Sequence, residues 1–366
     1  MIDRRLIKHF DWVLLTLVLI LGAFGLITIY SAVMAGVLQQ KTIFWKQLIW
    51  CGVGLVVVTI VFSFHYRMID RLAYWIYGIC NALLIGVLIF GKTIGGSQRW
   101  LILGPVSLQP SELAKIAIII VLAHWYSKST NPLGLSLSEL VVPAILLLIP
   151  FVLIVIQPDL GTAMVIALIA ASITLYKKIE KKTLIFIIVC FTGAIPIVWS
   201  ALKPYQKQRI LTFIDPERDS LGAGYHIIQS KIAIGSGMIT GKGYLQGTQN
   251  ALSFLPEQHT DFIFSVLAEE RGLAGSSLLL VFLLILMIWG LNIAHSCRNL
   301  FGVILAVGVT AMIFWQVVIN IGMVMGLMPV VGVPLPFISY GGSSMLTNMI
   351  GIGLLMNISM RRFMMK

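Results

Sequence analysis

The chain has 366 residues, of which 58% are hydrophobic and only 11% are charged. This composition excludes an ordinary soluble protein, in which roughly half of the residues are apolar and about a quarter are charged. The formal net charge of +12 predicts no nucleic-acid partner, because the basic residues fall in short loops between apolar runs, where they set membrane topology.

Apolar runs long enough to cross a bilayer recur along the sequence. They predict an all-α polytopic membrane protein with about ten transmembrane helices, and we expect residues 1–366 to form a single integral membrane domain. The predicted spans are Trp12–Val33, Phe44–Phe62, Ala73–Phe90, Leu113–Trp125, Leu140–Ile156, Gly161–Tyr176, Leu184–Leu202, Leu273–Ile293, Phe301–Val324 and Ser343–Ile358.

The distribution of Lys and Arg predicts the orientation of these spans. With a cytoplasmic N-terminus, more than half of the 26 Lys and Arg residues lie on the cytoplasmic side. The short loops on the opposite side carry only Lys41, Lys46, Lys92 and Arg99. Cytoplasmic loops are enriched in these residues, so both termini are predicted to be cytoplasmic.

Four polar segments fall on the predicted outer face: residues 203–260, which form a large extracytoplasmic loop, Gly91–Gln109, Gln157–Asp159 and Gly326–Gly342. The last is rich in Pro and Gly. Because non-helical backbone at membrane depth is tolerated only where it is buried or lines a cavity, we interpret it as a re-entrant segment. Ser339 and Tyr340 are its candidate cavity liners, and a long outer loop is the alternative.

The sequence around Pro110 predicts the start of a helix, since proline is favoured in the first turn. Glu112 and Lys115 then lie one turn apart and can pair on one helix face. The alternatives are a solvated ion pair and a buried one, and the adjoining apolar span favours the buried pair. Arg99 beside Trp100 offers a guanidinium and an aromatic face to a phosphate or sugar, although Trp100 alone is also typical of a membrane-interface anchor.

A basic, glycine-rich stretch runs from Lys203 to Gly243 and includes Arg209, Lys231 and Lys242. Its glycines, at positions 235, 237, 241 and 243, can present backbone N–H groups to an anion. A flexible solvated loop is the alternative. The stretch lacks the P-loop pattern, so no nucleotide cofactor is predicted.

Glu257, His259 and Asp261 alternate just before an apolar run. An ionisable residue at the edge of the membrane is costly and is a functional candidate, which makes Asp261 the first candidate for chemistry. Two alternatives stay open: Asp261 caps the following helix, or the three residues ligate a metal.

Several of these segments together resemble the SEDS family of bacterial membrane proteins (shape, elongation, division and sporulation). The resemblance covers nearly the whole chain, and GYHIIQSKIAIGSG and GTQ (Gly247–Gln249) favour its elongation-type group over its division-type group. The matching motifs are GSQRW (Gly96–Trp100), QPSELAK (Gln109–Lys115), QPDLGTA (Gln157–Ala163), GAGYHIIQSKIAIGSG (Gly222–Gly237), GKG (Gly241–Gly243), LPEQHTDFIFSVLAEERG (Leu255–Gly272) and PLPFISYGGSS (Pro334–Ser344).

The resemblance implies a peptidoglycan glycosyltransferase of the bacterial cytoplasmic (inner) membrane that polymerises lipid II for cell elongation and rod shape. It implies a cavity facing the periplasm or cell exterior, and an essential aspartate that falls on Asp261. Its expected partners are a class B penicillin-binding protein (a transpeptidase), other elongation-complex proteins, and lipid II with its lipid-linked glycan product.

The expected reaction is an inverting glycosyl transfer with Asp261 as general base and undecaprenyl diphosphate as leaving group. Glu257, His259 and Trp100 are expected to bind substrate, Glu112 with Lys115 to orient the cavity, and Asp159 to hold an outer turn. A divalent cation (Mg²⁺ or Mn²⁺) with unknown ligands, or basic side chains, would neutralise the diphosphate. The candidate basic side chains are Arg99, Lys115, Arg209, Lys231 and Lys242.

Three alternative functions remain at this stage. A lipid II flippase would use the same polar cavity as a passage, since broken helices and buried charges are also typical of transporters. A division-type polymerase would share the chemistry. A scaffold for the transpeptidase would leave Asp261 and the basic stretch without a role, so it ranks last.

Overall fold

A computed structural model describes residues 10–35, 41–94, 97–103, 106–129, 134–201, 204–216, 222–252, 254 and 258–361. Within these residues the chain forms helices and one small sheet. The helices are α1 Trp12–Met34, α2 Lys41–Ser63, α3 Tyr66–Arg71, α4 Ala73–Phe90, α5 Pro110–Lys128, α6 Leu137–Ile156, α7 Leu160–Tyr176, α8 Lys181–Ala201, α9 Pro204–Ile214, α10 Ala223–Ser236, α11 Thr248–Ala251, α12 Ile263–Ser296, α13 Leu300–Val324 and α14 Gly342–Arg361.

Each of the predicted spans coincides with one of these helices, and the polytopic α-helical fold is confirmed. Seven described helices are long and apolar enough to cross a membrane, namely α1, α2, α4, α6, α12, α13 and α14. Helix α7 is apolar but shorter. Helices α5, α13 and α14 are mostly buried inside the bundle, whereas few residues of α2 are buried.

Helices α2 and α14 pack closely through small residues. Gly54 of α2 lies against the side chain of Met349, and Gly353 of α14 lies against Val61. Small residues at such positions let helix backbones approach each other in a membrane, where dispersion contacts drive association.

A small antiparallel sheet follows α4 and was not predicted. Its strands are β1 Lys92–Ile94, β2 Ser97–Leu103 and β3 Val106–Leu108, in the order β1-β2-β3. The sequence carries two dipeptides typical of turns here, Gly-Gly and Gly-Pro, but the segment was predicted only as a polar connection between two membrane spans. The sheet positions Arg99 and Trp100 just before α5.

The predicted extracytoplasmic loop, residues 203–260, contains helices α9, α10 and α11. Helix α10 packs into the bundle: Ser230 Oγ donates to the carbonyl oxygen of Val324 at 2.6 Å and lies 2.8 Å from Ser265 Oγ. The flexible-loop alternative is therefore wrong for α10.

Helix α12 is broken at Gly272, whose φ of 62° and ψ of −160° are not helical. The predicted span starting at Leu273 begins immediately after this break. The N–H groups of Leu273 and Ala274 donate to the carbonyl oxygens of Met238 and Ile239, at 2.8 and 3.0 Å. The loop after α10 thus satisfies backbone groups that the break frees, as a membrane interior requires.

The start of α1 lies beside the ends of α12 and α14. Asp11 accepts a hydrogen bond from Leu14 N, which caps α1, and from Trp289 Nε1 at 3.1 Å. It also accepts from Ser359 Oγ. The N-terminal end of α1 and the C-terminal ends of α12 and α14 therefore lie on one face of the bundle.

The Pro/Gly-rich segment between α13 and α14 is non-helical, as predicted, and much of it is buried. Val333, Leu335, Phe337 and Ile338 are almost inaccessible to solvent. Gly25 of α1 packs against the backbone of Phe337 and Ile338. The segment is therefore part of the bundle core and positions the polar residues described below.

Candidate active site

Asp261 lies in a turn, residues 258–262, that leads into α12, and it is partly buried. The N-cap of α12 is Phe262, with no side-chain capping hydrogen bond. The N-cap position is therefore one residue after Asp261, contrary to the interpretation of Asp261 as the cap.

The Asp261 carboxylate faces the Pro/Gly-rich segment at Gly332. Gly332 has a φ of +71°, and a Cβ atom built on it would stand 3.2 Å from Asp261 Oδ2. Asn320 of α13 ties the two segments together, since its Nδ2 donates to Asp261 O at 3.0 Å and to Val333 O at 2.7 Å. Asn320 is fully buried, so this connection is rigid.

Ser339 and Tyr340 join the Pro/Gly-rich segment to the same turn. Ser339 Oγ donates to Thr260 O at 2.6 Å, and Tyr340 N donates to His259 O at 2.9 Å. The rings of His259 and Tyr340 lie 5.7 Å apart. The structure thus brings together four residues predicted from the sequence: Asp261, His259, Ser339 and Tyr340. Ser339, a predicted cavity liner, is buried and its hydroxyl group bonds to backbone atoms of Thr260 and Leu335.

Asp159 caps the N-terminus of α7 and is almost fully buried. Its carboxylate accepts hydrogen bonds from Gln109 Nε2 at 3.1 Å, Ser111 Oγ at 3.2 Å and Thr162 Oγ1 at 3.0 Å. Arg99 Nη1 stands 3.5 Å from Asp159 Oδ1, and the Arg99 side chain is 25% exposed. Asp159 therefore holds an outer turn, as predicted, and also anchors Arg99.

The Asp159 turn and the Asp261 turn contact adjacent residues of the Pro/Gly-rich segment. Gly161 of α7 packs against the carbonyl group of Val331, and Asp261 lies against Gly332. The backbone at residues 331–333 therefore separates the two acidic turns. Arg99, held by Asp159, and Asp261 are thus connected through adjacent residues of the Pro/Gly-rich segment.

Glu112 and Lys115 form the predicted pair, and it is buried. Lys115 Nζ lies 2.8 Å from Glu112 Oε1, and the side chains are 1% and 4% exposed. The solvated alternative is wrong. Ser111, between them and the Asp159 turn, links this pair to the site through its bond to Asp159.

The ammonium group of Lys242, a predicted diphosphate contact, is paired within the protein, although its side chain is 28% exposed. Lys242 Nζ lies 2.7 Å from Glu269 Oε1 and 2.7 Å from Thr248 Oγ1. Glu269 is fully buried and also accepts from Gln249 N at 3.1 Å. Glu269 was not predicted as the partner of Lys242, although two adjacent glutamates after an apolar run are a signal for it in the sequence.

The prediction that the glycines present free N–H groups to an anion is wrong for Gly237, Gly241 and Gly243, whose N–H groups donate to backbone carbonyls. The N–H groups of Gly241, Lys242 and Gly243 donate to the carbonyl oxygens of Gly237, Glu269 and Glu270. These glycines let the loop lie against the break in α12: Gly241 contacts the carbonyl of Glu270, and Gly272 contacts the backbone of residues 237–241.

The remaining predicted residues lie on three different elements. Trp100 is on β2, opposite Lys92, and is partly buried. Arg209 is on α9 and is partly buried. Lys231 is on α10, is exposed, and its side chain lies against Gly326 of the Pro/Gly-rich segment. Glu257 lies outside the described residues.

Across the part of the chain that the structure describes, no three His, Cys, Asp or Glu side chains group as metal ligands. Since Glu257 falls outside that part, the alternating Glu-x-His-x-Asp pattern is represented only by His259 and Asp261. The predicted divalent cation therefore stays a prediction without assigned ligands.

Residues 11–363 match the FtsW/RodA/SpoVE family model, described as a cell cycle protein. The chain belongs to this family. It is 42% identical over 357 residues to the peptidoglycan glycosyltransferase MrdB of Escherichia coli K12, covering 97% of this chain and 95% of MrdB. It is 34% identical over 436 residues to the peptidoglycan glycosyltransferase RodA of Treponema pallidum, covering 98% and 99%.

Solved structures of FtsW/RodA/SpoVE-type chains share the fold. A chain from a peptidoglycan synthase complex, described as coordinating polymerization and crosslinking, has a TM-score of 0.84 and 32% identity, with 97% of this chain and 98% of that chain covered. The rod shape determining protein RodA of Thermus thermophilus has a TM-score of 0.72 and 28% identity, with the same shares covered. The predicted family membership is confirmed.

Proposed function

We propose that the chain is a peptidoglycan glycosyltransferase that polymerises lipid II into β-1,4-linked glycan strands for cell elongation. Family membership and the names of its relatives support the reaction class. The observation that carries the proposal is the Asp261 carboxylate held against Gly332, one residue from Val331, which packs against the turn of Asp159 and its partner Arg99.

In the proposed reaction Asp261 is the general base. It takes the proton from the 4-hydroxyl of the acceptor N-acetylglucosamine, whose oxygen attacks the anomeric carbon of the donor N-acetylmuramic acid. The bond from that carbon to undecaprenyl diphosphate breaks, and the diphosphate leaves with the electron pair. A single displacement inverts the anomeric carbon and requires one base on the attacking side.

Arg99 is the strongest candidate for stabilising the diphosphate. Its guanidinium is oriented by Asp159 yet keeps part of its surface exposed, and a planar guanidinium suits phosphate oxygens. Lys231, beside Gly326, and Arg209 are further candidates. Lys242 is a weaker one, because its ammonium already contacts the buried Glu269 carboxylate.

Lys115 and Glu112 are proposed to orient the cavity through their mutual contact. His259, packed near the Tyr340 ring, Trp100 and Glu257 are proposed to contact substrate sugars. Dependence on Mg²⁺ or Mn²⁺ is tested by chelating the cation in a polymerisation assay and then restoring each metal separately.

The site is proposed to face the periplasm or cell exterior, with residues 203–260 outside the cytoplasm and both termini inside it. The excess of Lys and Arg on the opposite loops supports this orientation. A class B penicillin-binding protein is the proposed partner, because a similar chain occurs in a peptidoglycan synthase complex. Cysteine accessibility at Lys92 and Lys182 tests the orientation.

The experiment that tests the function gives labelled lipid II to the purified chain, either alone or together with its transpeptidase partner. The crosslinking site of the partner is blocked throughout. Bond formation lengthens glycan, whereas a flippase moves lipid II between leaflets without lengthening it. We expect long uncrosslinked glycan. Lipid II movement without glycan synthesis would support the flippase. The absence of both glycan synthesis and lipid II movement would support the scaffold. Higher identity to MrdB (42%) than to the FtsW of Bacillus subtilis (34%) favours the elongation role.

A further inference from the structure

An apolar groove lies between α6, α7 and α8, at the end of α7 opposite Asp159. Its volume is about 530 Å³, and almost all of its surface is apolar. Tyr126 and Thr174 contribute the polar atoms at one wall, and these bond to each other at 2.9 Å. The α7 residues that line the groove lie between Ala167 and Leu175, about 10–23 Å along the helix axis from the start of α7 at Leu160.

Helix α8 is held to the bundle loosely along this groove. Of its side chains that the structure describes, only Thr183 is buried. Leu184 and Ile187 nevertheless line the groove from the α8 side, facing Ala167 and Ala171 of α7. Small alanines on α7 leave space that the α8 side chains do not fill.

Four lysines flank Ile179, a lining residue of the groove, in the segment from the end of α7 to the first residues of α8, which we call the lysine turn (residues 177–182). Lys178, Lys181 and Lys182 are exposed, and Lys177 is partly buried. The turn is fixed, because Leu135 N donates to Lys178 O at 3.0 Å and Glu180 N donates to Leu135 O at 3.2 Å. Ile179, in the middle of the turn, lines the groove.

The charges around Lys177 favour an anion. Lys177 Nζ donates to Ser129 O at 3.2 Å. Partial burial lowers the pKa of Lys177, while the charge of Glu139 raises it. Glu139 is itself engaged, since it completes the capping box of α6 with Ser136, and Glu180 is the single acidic residue among the four lysines.

We propose that this groove and the lysine turn form a binding site for an anionic phospholipid. One acyl chain occupies the groove between α8 and α7, and the phosphate contacts the lysine turn. The volume falls within the range of about 300–1,000 Å³ typical of ligand pockets. Basic residues next to a membrane span attract anionic lipids by roughly 1 kcal/mol each. The lipid joins α8 to the bundle, which the protein side chains alone do not do.

The test uses the full-length purified chain and native mass spectrometry with dioleoyl phosphatidylglycerol or dioleoyl phosphatidylcholine at equal concentration. We expect one phosphatidylglycerol to be retained in preference to phosphatidylcholine. Lys181→Gln/Lys182→Gln should lower that preference by about thirtyfold. Ala171→Phe, which fills the groove, should abolish retention of both lipids.

Two control variants separate this site from general surface effects. Arg67→Gln/Arg298→Gln removes two exposed charges, one on α3 and one between α12 and α13, and Val281→Phe enlarges an exposed apolar side chain of α12. Both should retain phosphatidylglycerol as the wild type does. Equal retention of the two lipids, or an equal loss in the control variants, would overturn the proposal. Size-exclusion profiles establish that each variant is folded.

Discussion

The backbone of Gly332 lies directly against the carboxylate of Asp261, so a Cβ atom at position 332 would stand 3.2 Å from Asp261 Oδ2. The two residues come from different segments, and Asn320 joins these segments by donating to the backbone carbonyls of Asp261 and Val333. A glycine is required here for two reasons. A side chain would crowd the Asp261 carboxylate, and the φ of Gly332 is +71°, a region that L side chains avoid.

Gly332→Ala should slow glycan polymerisation on the order of a hundredfold, because a small displacement of a reacting group has that scale of effect. The strained backbone should also cost about 1–2 kcal/mol of stability. The measurement is the polymerisation rate alongside the melting temperature. Gly134→Ala, at a φ of +107° in a different loop, should lose stability while keeping its rate. A normal rate in Gly332→Ala would contradict the contact.

The buried pair Glu112–Lys115 should be far more sensitive to the loss of one partner than of both. Lys115→Met leaves Glu112 buried without its cation, which costs about 3–5 kcal/mol. Lys115→Met/Glu112→Gln should recover most of that stability. The exchange Glu112→Lys/Lys115→Glu should recover more function than either single reversal, though incompletely, because a cation is unfavourable in a first helical turn.

Thermal unfolding in detergent and polymerisation together check this prediction. If the exchanged pair performs no better than the single reversals, Glu112 and Lys115 do not act through their mutual contact.

Lys242 is predicted to act through Glu269 on the break in α12 rather than on substrate. Lys242→Met should destabilise the chain by about 1–3 kcal/mol, since the buried Glu269 then lacks a charged partner. Adding Glu269→Gln should restore stability, because Thr248 and Gln249 still donate to the amide oxygen. A variant with full stability but a raised KM for lipid II would instead indicate a direct contact with substrate.

The free energy of unfolding should depend on pH through His65. It follows α2, and its Nδ1 accepts from Arg67 N at 3.1 Å, which caps α3. Partial burial, and then the charges of Arg361 and Arg67, lower its pKa from 6.5. The unfolded chain therefore binds the proton more readily. The stability contributed by neutral His65 is present above about pH 6.5 and is lost as pH falls through the folded pKa.

The melting temperature of the wild type should fall between pH 6.5 and pH 5 by more than that of His65→Asn. Asparagine keeps the capping acceptor but does not titrate. Equal falls in both proteins would assign the acid sensitivity to other groups.

The membrane spans were predictable because each is a long apolar run that hydrophobicity alone defines. Asp261 and the Glu112–Lys115 pair were also accessible, since charges within or beside such runs are rare. Arg99 and Asp159 were both singled out, but their contact was not predicted, because it joins β2 to the N-cap of α7, two elements far apart in sequence. The contact between Lys242 and Glu269 was not predicted either, because the two residues are far apart in sequence and meet only where the loop after α10 lies against the break in α12.

The most direct test of the proposed chemistry is the polymerisation of labelled lipid II by Asp261→Asn, with its partner's transpeptidase site blocked. Asparagine keeps the volume of aspartate and removes the base, so we expect the rate to fall at least a hundredfold while folding and lipid II binding persist. Asp215→Asn, at an exposed acidic residue just after α9, should polymerise normally. Wild-type glycan synthesis by Asp261→Asn would contradict the account.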